Sequence, residues 1–383
     1  MNLQMSLSPR VRKSPYFDAT VADGVAAMTS YNHMMLPTSY GDPHGEYWRL
    51  INGVSMWDVA AQRQIEVAGP DAAELVRILC PRDLYRLKSG AGWYVPVCDH
   101  RGVIINDPIV LKHADDRYWF SIADADLLWW VRAVAAERGL TDVGVFEAQA
   151  APLAVQGPKA GAVVAALLGD WVAGIKHFHF APAHAGDIPI LVARSGWSKQ
   201  SGFELYLLDA TKGWALWQAV KEAGAPYGIG PGTPNPVERV ESGLLSWGGD
   251  TDDETNPFEV RMERYVDLHA PDDVIGMAAL RRIHADGPRR RQLGIFVDHP
   301  EPFGAMCDTS RIEHQEDVTG KVTAHAYSPR LQRNIGLALV PSSLNAGDVV
   351  TVHLARGEPV EGELTELPFA IPEVNLDSVT EVA

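Results

Sequence analysis

The character of the sequence changes near residue 290. Up to about residue 270, runs in which apolar residues recur at helical spacing are mixed with short β-branched and aromatic runs. Beyond residue 291 only short strand-like runs remain, each bounded by turn residues. These runs cover residues 292–297, 318–324, 335–340, 348–354 and 361–367. The change predicts an α+β fold in which a small antiparallel β-barrel or sandwich follows a larger mixed region.

The larger region contains four predicted helices and several predicted strands. The helices cover residues 71–79, 124–138, 159–168 and 211–222, and the strands cover 64–67, 104–111, 118–122, 188–194 and 203–208. Because strands and helices do not alternate regularly, the order favours α+β over a parallel α/β sheet. We therefore divide the chain into a first region 1–270, a polar, arginine-rich linker 271–291, a barrel region 292–371 and a tail 372–383.

The composition restricts the partners and the cellular location. The 383-residue chain has a formal net charge of −16, which argues against nucleic acids and anionic membranes because both require a basic surface. Cys80, Cys98 and Cys307 are too few and too scattered for a disulfide framework, and His177 and His179 lack a third metal ligand nearby. No signal segment or membrane-spanning stretch is found. These features predict a cytoplasmic protein without a metal; the oligomeric state stays open, with a homodimer as one alternative.

A predicted β-hairpin in the first region presents a carboxylate on its second strand. Side chains alternate along a strand, so Phe203 and Leu205 point to one face and Glu204 and Tyr206 to the other. A carboxylate accepts two parallel hydrogen bonds, and the ring N–H and exocyclic amine of a pterin offer two parallel donors. Glu204 is therefore a candidate pterin-binding residue. The alternative is a solvated glutamate on an exposed strand face.

Four segments, in this order, resemble the glycine-cleavage T-protein superfamily of tetrahydrofolate-dependent enzymes. They are LAVQGPKA at 153–160, RSGWSKQSGFELY at 194–206, RVESGLLSWG at 239–248 and GKVTAHAYSPRLQRNIG at 320–336. The resemblance spans nearly the whole chain. It implies two interleaved α/β subdomains around a central folate channel in residues 1–270, a C-terminal antiparallel β-barrel domain, and tetrahydrofolate as the cofactor.

Further segments resemble one branch of that superfamily, the dimethylsulfoniopropionate demethylases, which move a methyl group from a sulfonium to tetrahydrofolate. These segments are RVRKSPY at 10–16, YNHMMLP at 31–37, YVPVCDHRG at 94–102 and NDP at 106–108. T-proteins usually carry two adjacent acids where this chain has Asn106 and Asp107. The resemblance implies that Asp107 is the catalytic residue. It would orient a cationic donor and stabilise positive charge at N5 of tetrahydrofolate without acting as a base. The loss of the first acid argues against aminomethyl transfer.

The resemblance also implies the remaining site residues. Glu204, Tyr206, Arg239 and Trp247 would bind tetrahydrofolate; the alternatives are an ion pair of Arg239 with Glu238 or Glu241, and a core position for Trp247. A sulfonium cannot accept or donate a hydrogen bond, so aromatic faces are expected to bind it. The aromatic candidates for this role are Tyr16, Tyr31, Tyr94 and Trp197.

The sequence thus predicts a tetrahydrofolate-dependent methyltransferase that takes a methyl group from a small cationic donor, with dimethylsulfoniopropionate favoured. A glycine-cleavage aminomethyltransferase is the first alternative. A demethylase of a methylated amine, a betaine or an aryl methyl ether is the second. A folate-binding protein without turnover is the third, and the presence of Asp107, Glu204 and Arg239 weighs against it.

Overall fold

The structure, a computed structural model, describes residues 8–303, 310–315, 317–355 and 357–371, so the predicted tail lies outside the described residues. The helices are α1 Phe17–Ala22, α2 Pro43–Asn52, α3 Ala72–Leu79, α4 Leu127–Glu137, α5 Ala160–Leu168, α6 Gly213–Gly224, α7 Pro236–Ser242 and α8 Met277–Asp286. In the part of the chain that is described, none of them combines the length and apolar character needed to cross a membrane.

The strands are numbered in chain order. They are β1 Ala27–Tyr31, β2 Met34–Ser39, β3 Ser55–Asp58, β4 Gln64–Ala68, β5 Ala91–Tyr94, β6 Val97–Cys98, β7 Ile104–Asn106, β8 Ile109–Ala114, β9 Arg117–Ser121, β10 Gly144–Glu147, β11 Ala151–Gln156, β12 Phe180–Ala185, β13 Ile188–Ala193, β14 Gly202–Leu207, β15 Gly230–Pro231, β16 Arg290–Val297, β17 Ser310–His314, β18 Asp317–Ser328, β19 Arg333–Pro341, β20 Val349–His353 and β21 Val360–Thr365.

The chain divides into two compact units, and the first consists of residues up to Asn235 together with Asp253–Pro257 and Met262–Asp286. It contains a five-stranded sheet in the order β10-β4-β9-β8-β5 and a six-stranded sheet in the order β12-β13-β14-β11-β3-β15. Strand β3 comes before every strand of the five-stranded sheet in the chain, and its partner β11 comes after all of them. The two α/β subdomains are therefore interleaved along the chain, as the family resemblance implies.

Each of these two sheets has one face covered by helices. Apolar residues of α3 and α4 share a core with the five-stranded sheet, and those of α5 and α6 share a core with the six-stranded sheet. A smaller cluster joins the two sheets through Leu111 and Trp119 on one side and Leu191 and Tyr206 on the other. The result is a stack of four layers, with helices outside and the two sheets facing each other.

The predicted helices of this unit are confirmed, with starts up to three residues later than predicted. The strand predicted over residues 104–111 is wrong in one respect, because it is two strands, β7 and β8. Strand β7 pairs with β6, whereas β8 pairs with β5 and β9. Pro108 stands at the break, and proline has no N–H to donate to a strand partner.

A tight hairpin joins β1 and β2. Tyr31 pairs with Met34, and the two residues between them, Asn32 and His33, have φ values of 49° and 59°. Two consecutive residues with positive φ are typical of a type I′ turn, which matches the twist of the flanking strands. Asparagine tolerates this left-handed conformation better than most residues, so Asn32 suits the turn.

The second unit contains α7 and a closed antiparallel barrel with the strand order β16-β19-β18-β17-β20-β21. Strand β21 pairs with β16 and closes the barrel. The five strands predicted for this region are confirmed, and the barrel rather than the sandwich is the observed arrangement. Strand β17 was not predicted because its sequence is mostly polar, and Ile312 is its one buried hydrophobic residue.

The buried carboxyl group of Asp58 lies at the end of β3 in the first unit. It accepts hydrogen bonds from Ser14 Oγ at 2.5 Å and from the Ala60 amide at 3.1 Å. Burial raises the pKa of Asp58 to about 6, although both hydrogen bonds act in the opposite direction. Between the ordinary value of 3.8 and about 6, the folded protein therefore holds a proton that the unfolded chain has released.

This proton makes the stability depend on pH. The contribution of Asp58 is fully present below its ordinary pKa and is lost as the pH rises through about 6. Relative to Asp58→Asn, the parent protein should lose on the order of 3 kcal/mol of unfolding free energy between about pH 4 and pH 7. Urea unfolding of both proteins at several pH values measures this difference. A difference that does not change with pH would contradict the assignment.

Candidate functional site

Strand β14 places Glu204 and Tyr206 on the face that meets the other sheet. Phe203 and Leu205 are buried in the core formed with α5 and α6. Tyr206 belongs to the cluster between the two sheets, where its ring lies 6.3 Å from that of Trp119. The predicted alternation of side chains along this strand is confirmed.

The carboxylate of Glu204 is buried, with 4 % of the residue exposed, so it is not on a solvated strand face. Its Oε2 accepts hydrogen bonds from Ser195 Oγ and, at 3.2 Å, from the Tyr206 hydroxyl. Burial raises the pKa of Glu204, and the two hydrogen bonds partly oppose this. A carboxyl group that is costly to ionise becomes a strong acceptor for a ligand that supplies further N–H donors.

Gln156, at the end of β11, holds the turn that carries Ser195. Its side-chain nitrogen donates to the Ser195 carbonyl at 3.1 Å, and its Oε1 accepts from Ser198 Oγ at 2.8 Å. A Cβ atom at position 202 would lie 2.2 Å from Gln156 Nε2, so any residue other than glycine would displace the Gln156 side chain. Sequence reasoning missed Gln156 and Ser195 as site residues, although both lie in segments that carry the family resemblance.

Asp107 lies at the break between β7 and β8. Its Oδ2 accepts a hydrogen bond of 2.6 Å from the Tyr94 hydroxyl. The Tyr94 ring in turn packs edge-to-face on Tyr265, with ring centroids 5.1 Å apart. Asp107 and Tyr94, both predicted site residues, are thus in direct contact.

A row of side chains across the five-stranded sheet runs between the site of Glu204 and the site of Asp107. Gln64, Ser121, Ile109 and Tyr94 occupy directly opposed positions on β4, β9, β8 and β5, and opposed residues share one face of a sheet. Burial raises the pKa of Tyr206 and the Ser121 side chain acts to lower it, so Ser121 lies near the Tyr206 hydroxyl. Ser121 and Tyr94 are two strand spacings apart, which is about 10 Å. The Glu204 and Asp107 sites therefore face the same space between the sheets.

Tyr31 lies at the hairpin turn between β1 and β2 and is half-buried. Burial raises its pKa most, and the negative charges of Asp107 and Asp124 raise it further. These charges act on the Tyr31 hydroxyl because they lie near it. The structure thus brings Tyr31, Tyr94 and Asp107 into one neighbourhood.

A cationic group that contacts Tyr94 and Tyr265 was not predicted. The Arg82 guanidinium lies 4.1 Å from the centroid of the Trp93 ring and 5.2 Å from that of Tyr265, and it donates to the Tyr94 carbonyl at 2.7 Å. Burial lowers the pKa of Arg82. Nothing in the local sequence distinguishes Arg82 from a surface arginine, since its contacts come from strand β5 and from residue 265.

The other two predicted aromatic site residues of the first unit are Tyr16 and Trp197. Tyr16 has no exposed surface; its hydroxyl donates to the Ala151 carbonyl at 2.8 Å and its ring packs on Trp217. It therefore has no surface with which to contact a ligand in this structure. Trp197 is half-buried in the turn between β13 and β14, two residues after Ser195.

Arg239 and Trp247 belong to the second unit. Arg239, on α7, donates to Asp250 Oδ2 at 2.7 Å and to the Leu244 carbonyl at 3.1 Å. Asp250 is fully buried and also accepts from Thr323 Oγ1 on β18. The structure thus describes an ion pair of Arg239 with Asp250, a partner not considered from the sequence. Trp247 is half-buried in the loop after α7.

The acids considered as partners of Arg239 also have contacts within this unit. Glu241 accepts hydrogen bonds from Arg330 and from Ser328 Oγ, and Glu238 accepts one from Ser242 Oγ at 2.8 Å. No group of three or more histidine, cysteine or acidic residues within the described ranges is arranged to hold a metal ion.

Comparison with known proteins covers both units. Residues 16–270 match the GCVT N-terminal domain and residues 290–370 match the glycine cleavage T-protein C-terminal barrel domain. The dimethylsulfoniopropionate demethylase DmdA from Ruegeria pomeroyi is 38% identical over 336 residues, which cover 88% of this chain and 91% of that protein. An aminomethyltransferase from Symbiobacterium thermophilum is 28% identical, with 95% of this chain and 98% of that protein covered.

A solved structure has the same fold. The glycine cleavage system aminomethyltransferase T from Bartonella henselae superposes with a TM-score of 0.79 at 23% identity, covering 94% of this chain and 98% of that one. Interleaved sheets followed by a closed barrel give this chain the fold of that aminomethyltransferase. The chain belongs to the glycine cleavage T-protein family.

Proposed function

We propose that this protein is a tetrahydrofolate-dependent methyltransferase that takes a methyl group from a small cationic donor, with dimethylsulfoniopropionate as the favoured donor. The observation that carries the proposal is the buried Glu204 carboxylate, which shares the space between the two sheets with Asp107. The name of the relative at 38% identity, a dimethylsulfoniopropionate demethylase, supports the choice of donor. The buried, unpaired thiols of Cys80 and Cys98 support a cytoplasmic location.

Glu204 is the proposed pterin-binding residue. Tetrahydrofolate presents an N–H and an amino group side by side, and one buried carboxylate accepts both. Ser195 and Tyr206 donate to Oε2 of this carboxylate and so fix its orientation. Because both donors are held by the hairpin and by Gln156, the carboxylate is pre-organised before the ligand binds.

Asp107 is the proposed catalytic residue. Its negative charge attracts a cationic donor, and the Tyr94 hydrogen bond fixes the carboxylate. Transfer to tetrahydrofolate would form a C–N bond at N5 of the folate and break the C–S bond of the donor. The neutral sulfide leaves with the electron pair, and the N5 proton is released. Since a neutral sulfide needs no protonation to leave, this chain has to supply positioning, charge and exclusion of water.

The aromatic residues near Asp107 suit a methylated cation. Tyr31, Tyr94 and Tyr265 offer ring faces and edges in this neighbourhood, and a sulfonium is attracted to ring faces. Arg82 adds a positive charge in the same neighbourhood, where a carboxylate on the donor would find a partner. Dimethylsulfoniopropionate carries both a sulfonium and a carboxylate.

Aminomethyl transfer from a carrier protein is the second candidate function. The names of relatives at 27–29% identity support it, and they match over at least as much of this chain as the demethylase does. The asparagine at position 106 is the residue that weighs against it. Demethylation of an amine, a betaine or an aryl methyl ether would use the same folate site with a different donor.

One experiment separates these functions. The purified protein is incubated with tetrahydrofolate and, in separate reactions, with a sulfonium, a betaine, a methylated amine, an aryl methyl ether and an aminomethyl-lipoyl carrier protein. We expect 5-methyltetrahydrofolate, identified by mass, from dimethylsulfoniopropionate. Formation of methylenetetrahydrofolate from the carrier protein alone would overturn the proposal in favour of aminomethyl transfer.

A further inference from the structure

Asn106 is fully buried immediately before Asp107, and its amide is bonded on both sides to one backbone unit. Its Oδ1 accepts from the Ala123 amide at 3.1 Å, and its Nδ2 donates to the Ala123 carbonyl at 3.2 Å. This reciprocal pair uses the donor and the acceptor of the side chain together. A side-chain amide offers a donor and an acceptor side by side, whereas an ionised aspartate offers acceptors only. Asn106 therefore holds Ala123 in one orientation.

The residue after Ala123 holds the β1–β2 hairpin. Asp124 Oδ1 accepts a hydrogen bond of 2.6 Å from the backbone amide of Asn32. The Asn32 side chain adds a hydrogen bond of 3.0 Å to the Ala61 carbonyl. Asn32 is the first residue of the left-handed turn, so the position of that turn depends on where residues 123 and 124 lie.

The connected residues form three sequence-adjacent pairs. Asn106 precedes Asp107, Ala123 precedes Asp124, and Tyr31 precedes Asn32. The two hydrogen-bonded links, from Asn106 to Ala123 and from Asp124 to Asn32, join these pairs in series. Tyr31 and Asp107 stand at the two ends of the series, and the charge of Asp107 acts on the Tyr31 hydroxyl.

We propose that Asn106 is a positioning residue which, through Ala123 and Asp124, fixes the hairpin that holds Tyr31 beside Asp107. Its effect on catalysis rests on the proposed function, whereas its effect on the position of Tyr31 does not. An aspartate at position 106 keeps the bond to the Ala123 amide, but its carboxylate faces the Ala123 carbonyl without a donor. Residues 123–124 would then move, and Tyr31 with them.

The Asn106→Asp variant tests this, because its defect is reversible. When the introduced carboxyl group is protonated, it again donates to the Ala123 carbonyl. Burial and the neighbouring charges of Asp107 and Asp124 favour the protonated form of the introduced carboxyl group. The buried Cys98 thiol on the adjacent strand β6 adds no charge, because burial raises its pKa. The defect should therefore be present at pH 8 and decrease toward pH 6.

The first readout is the environment of Tyr31 in the protein without ligands. The protein is labelled with fluorotyrosine, and the fluorine NMR signal of Tyr31 is identified by its loss in Tyr31→Phe. We expect Asn106→Asp to shift this signal at pH 8 and to return it toward the parental position at pH 6. Asp124→Ala, at an exposed residue, should shift it at both pH values. Asn52→Asp, an exposed site on α2 with the same change of charge, should leave it in place.

The second readout is methyl transfer. Asn106→Asp should lower kcat about tenfold at pH 8, with a smaller change in KM, and the loss should be relieved at pH 6. An unshifted Tyr31 signal in both Asn106→Asp and Asp124→Ala would overturn the inference. The two proposals can also fail separately. If the Tyr31 signal shifts in the variants while the parent protein transfers no methyl group, the inference is supported and the proposed function is overturned.

Discussion

Replacement of Glu204 by alanine is expected to weaken tetrahydrofolate binding about 30- to 150-fold, which corresponds to about 2–3 kcal/mol. The reason is that two charge-assisted hydrogen bonds from the pterin lose their shared acceptor. Isothermal titration calorimetry with the reduced folate measures the change. Glu222→Ala, an exposed glutamate on α6, is the matched control and should bind folate as the parent does.

The same site predicts how binding depends on pH. Burial raises the pKa of Glu204, so part of the unliganded protein is protonated above the ordinary pKa of a glutamate. Pterin N–H donors favour the ionised carboxylate, and binding should release a proton in that range. Affinity should therefore increase as the pH rises through the pKa of Glu204, and this dependence should be absent in Glu204→Gln. Unchanged folate binding by Glu204→Ala would show that the pterin lies elsewhere.

Asp107→Asn should lower kcat/KM for methyl transfer by about 100-fold or more, while tetrahydrofolate binding stays close to that of the parent. The substitution keeps the shape of the side chain and removes the charge that faces the cationic donor. Tyr94→Phe removes only the hydrogen bond that orients this carboxylate, and a loss of about tenfold is expected. Single-turnover kinetics with preformed folate complex separates this effect from folate binding.

The control for Asp107 is Asp115→Asn. Asp115 is an exposed carboxylate in the β8–β9 turn that pairs with Lys112 at 2.8 Å, so the change of charge is the same. It should leave kcat/KM unchanged. If Asp107→Asn transferred methyl groups at the parental rate, Asp107 would have no part in the reaction and the site would have to be sought elsewhere in the first unit.

The hairpin of β13 and β14 could be predicted because its information is local. The period of two along 203–206 assigns Glu204 and Tyr206 to one face whatever surrounds them. Whether that face is solvated or buried depends on the second sheet, and strands β8 and β9 lie far away along the chain. For this reason the sequence left the burial of Glu204 open. Its hydrogen bond from Ser195 depends on the turn geometry that Gln156 imposes.

The site residues that were missed depend on contacts distant in sequence. The Arg82 guanidinium is held by the rings of Trp93 and Tyr265, and the Asn106 side-chain amide is held by the backbone of Ala123. Tyr16 shows the opposite case, because it lies in a segment of family resemblance but its ring is in the core next to Trp217. Helical and strand periods locate elements along the chain, and they do not tell which side chains from different elements meet.

The interleaving of the two sheets has a consequence for the order of folding. Every strand of the five-stranded sheet is synthesised by residue 147, so that sheet can form while the chain is still growing. Strand β3 leaves the ribosome earlier than all of them, yet its neighbours β11 and β15 both follow the whole five-stranded sheet in the chain. Until those arrive, β3 has two unpaired edges in the nascent chain, and aggregation is most dangerous in that interval.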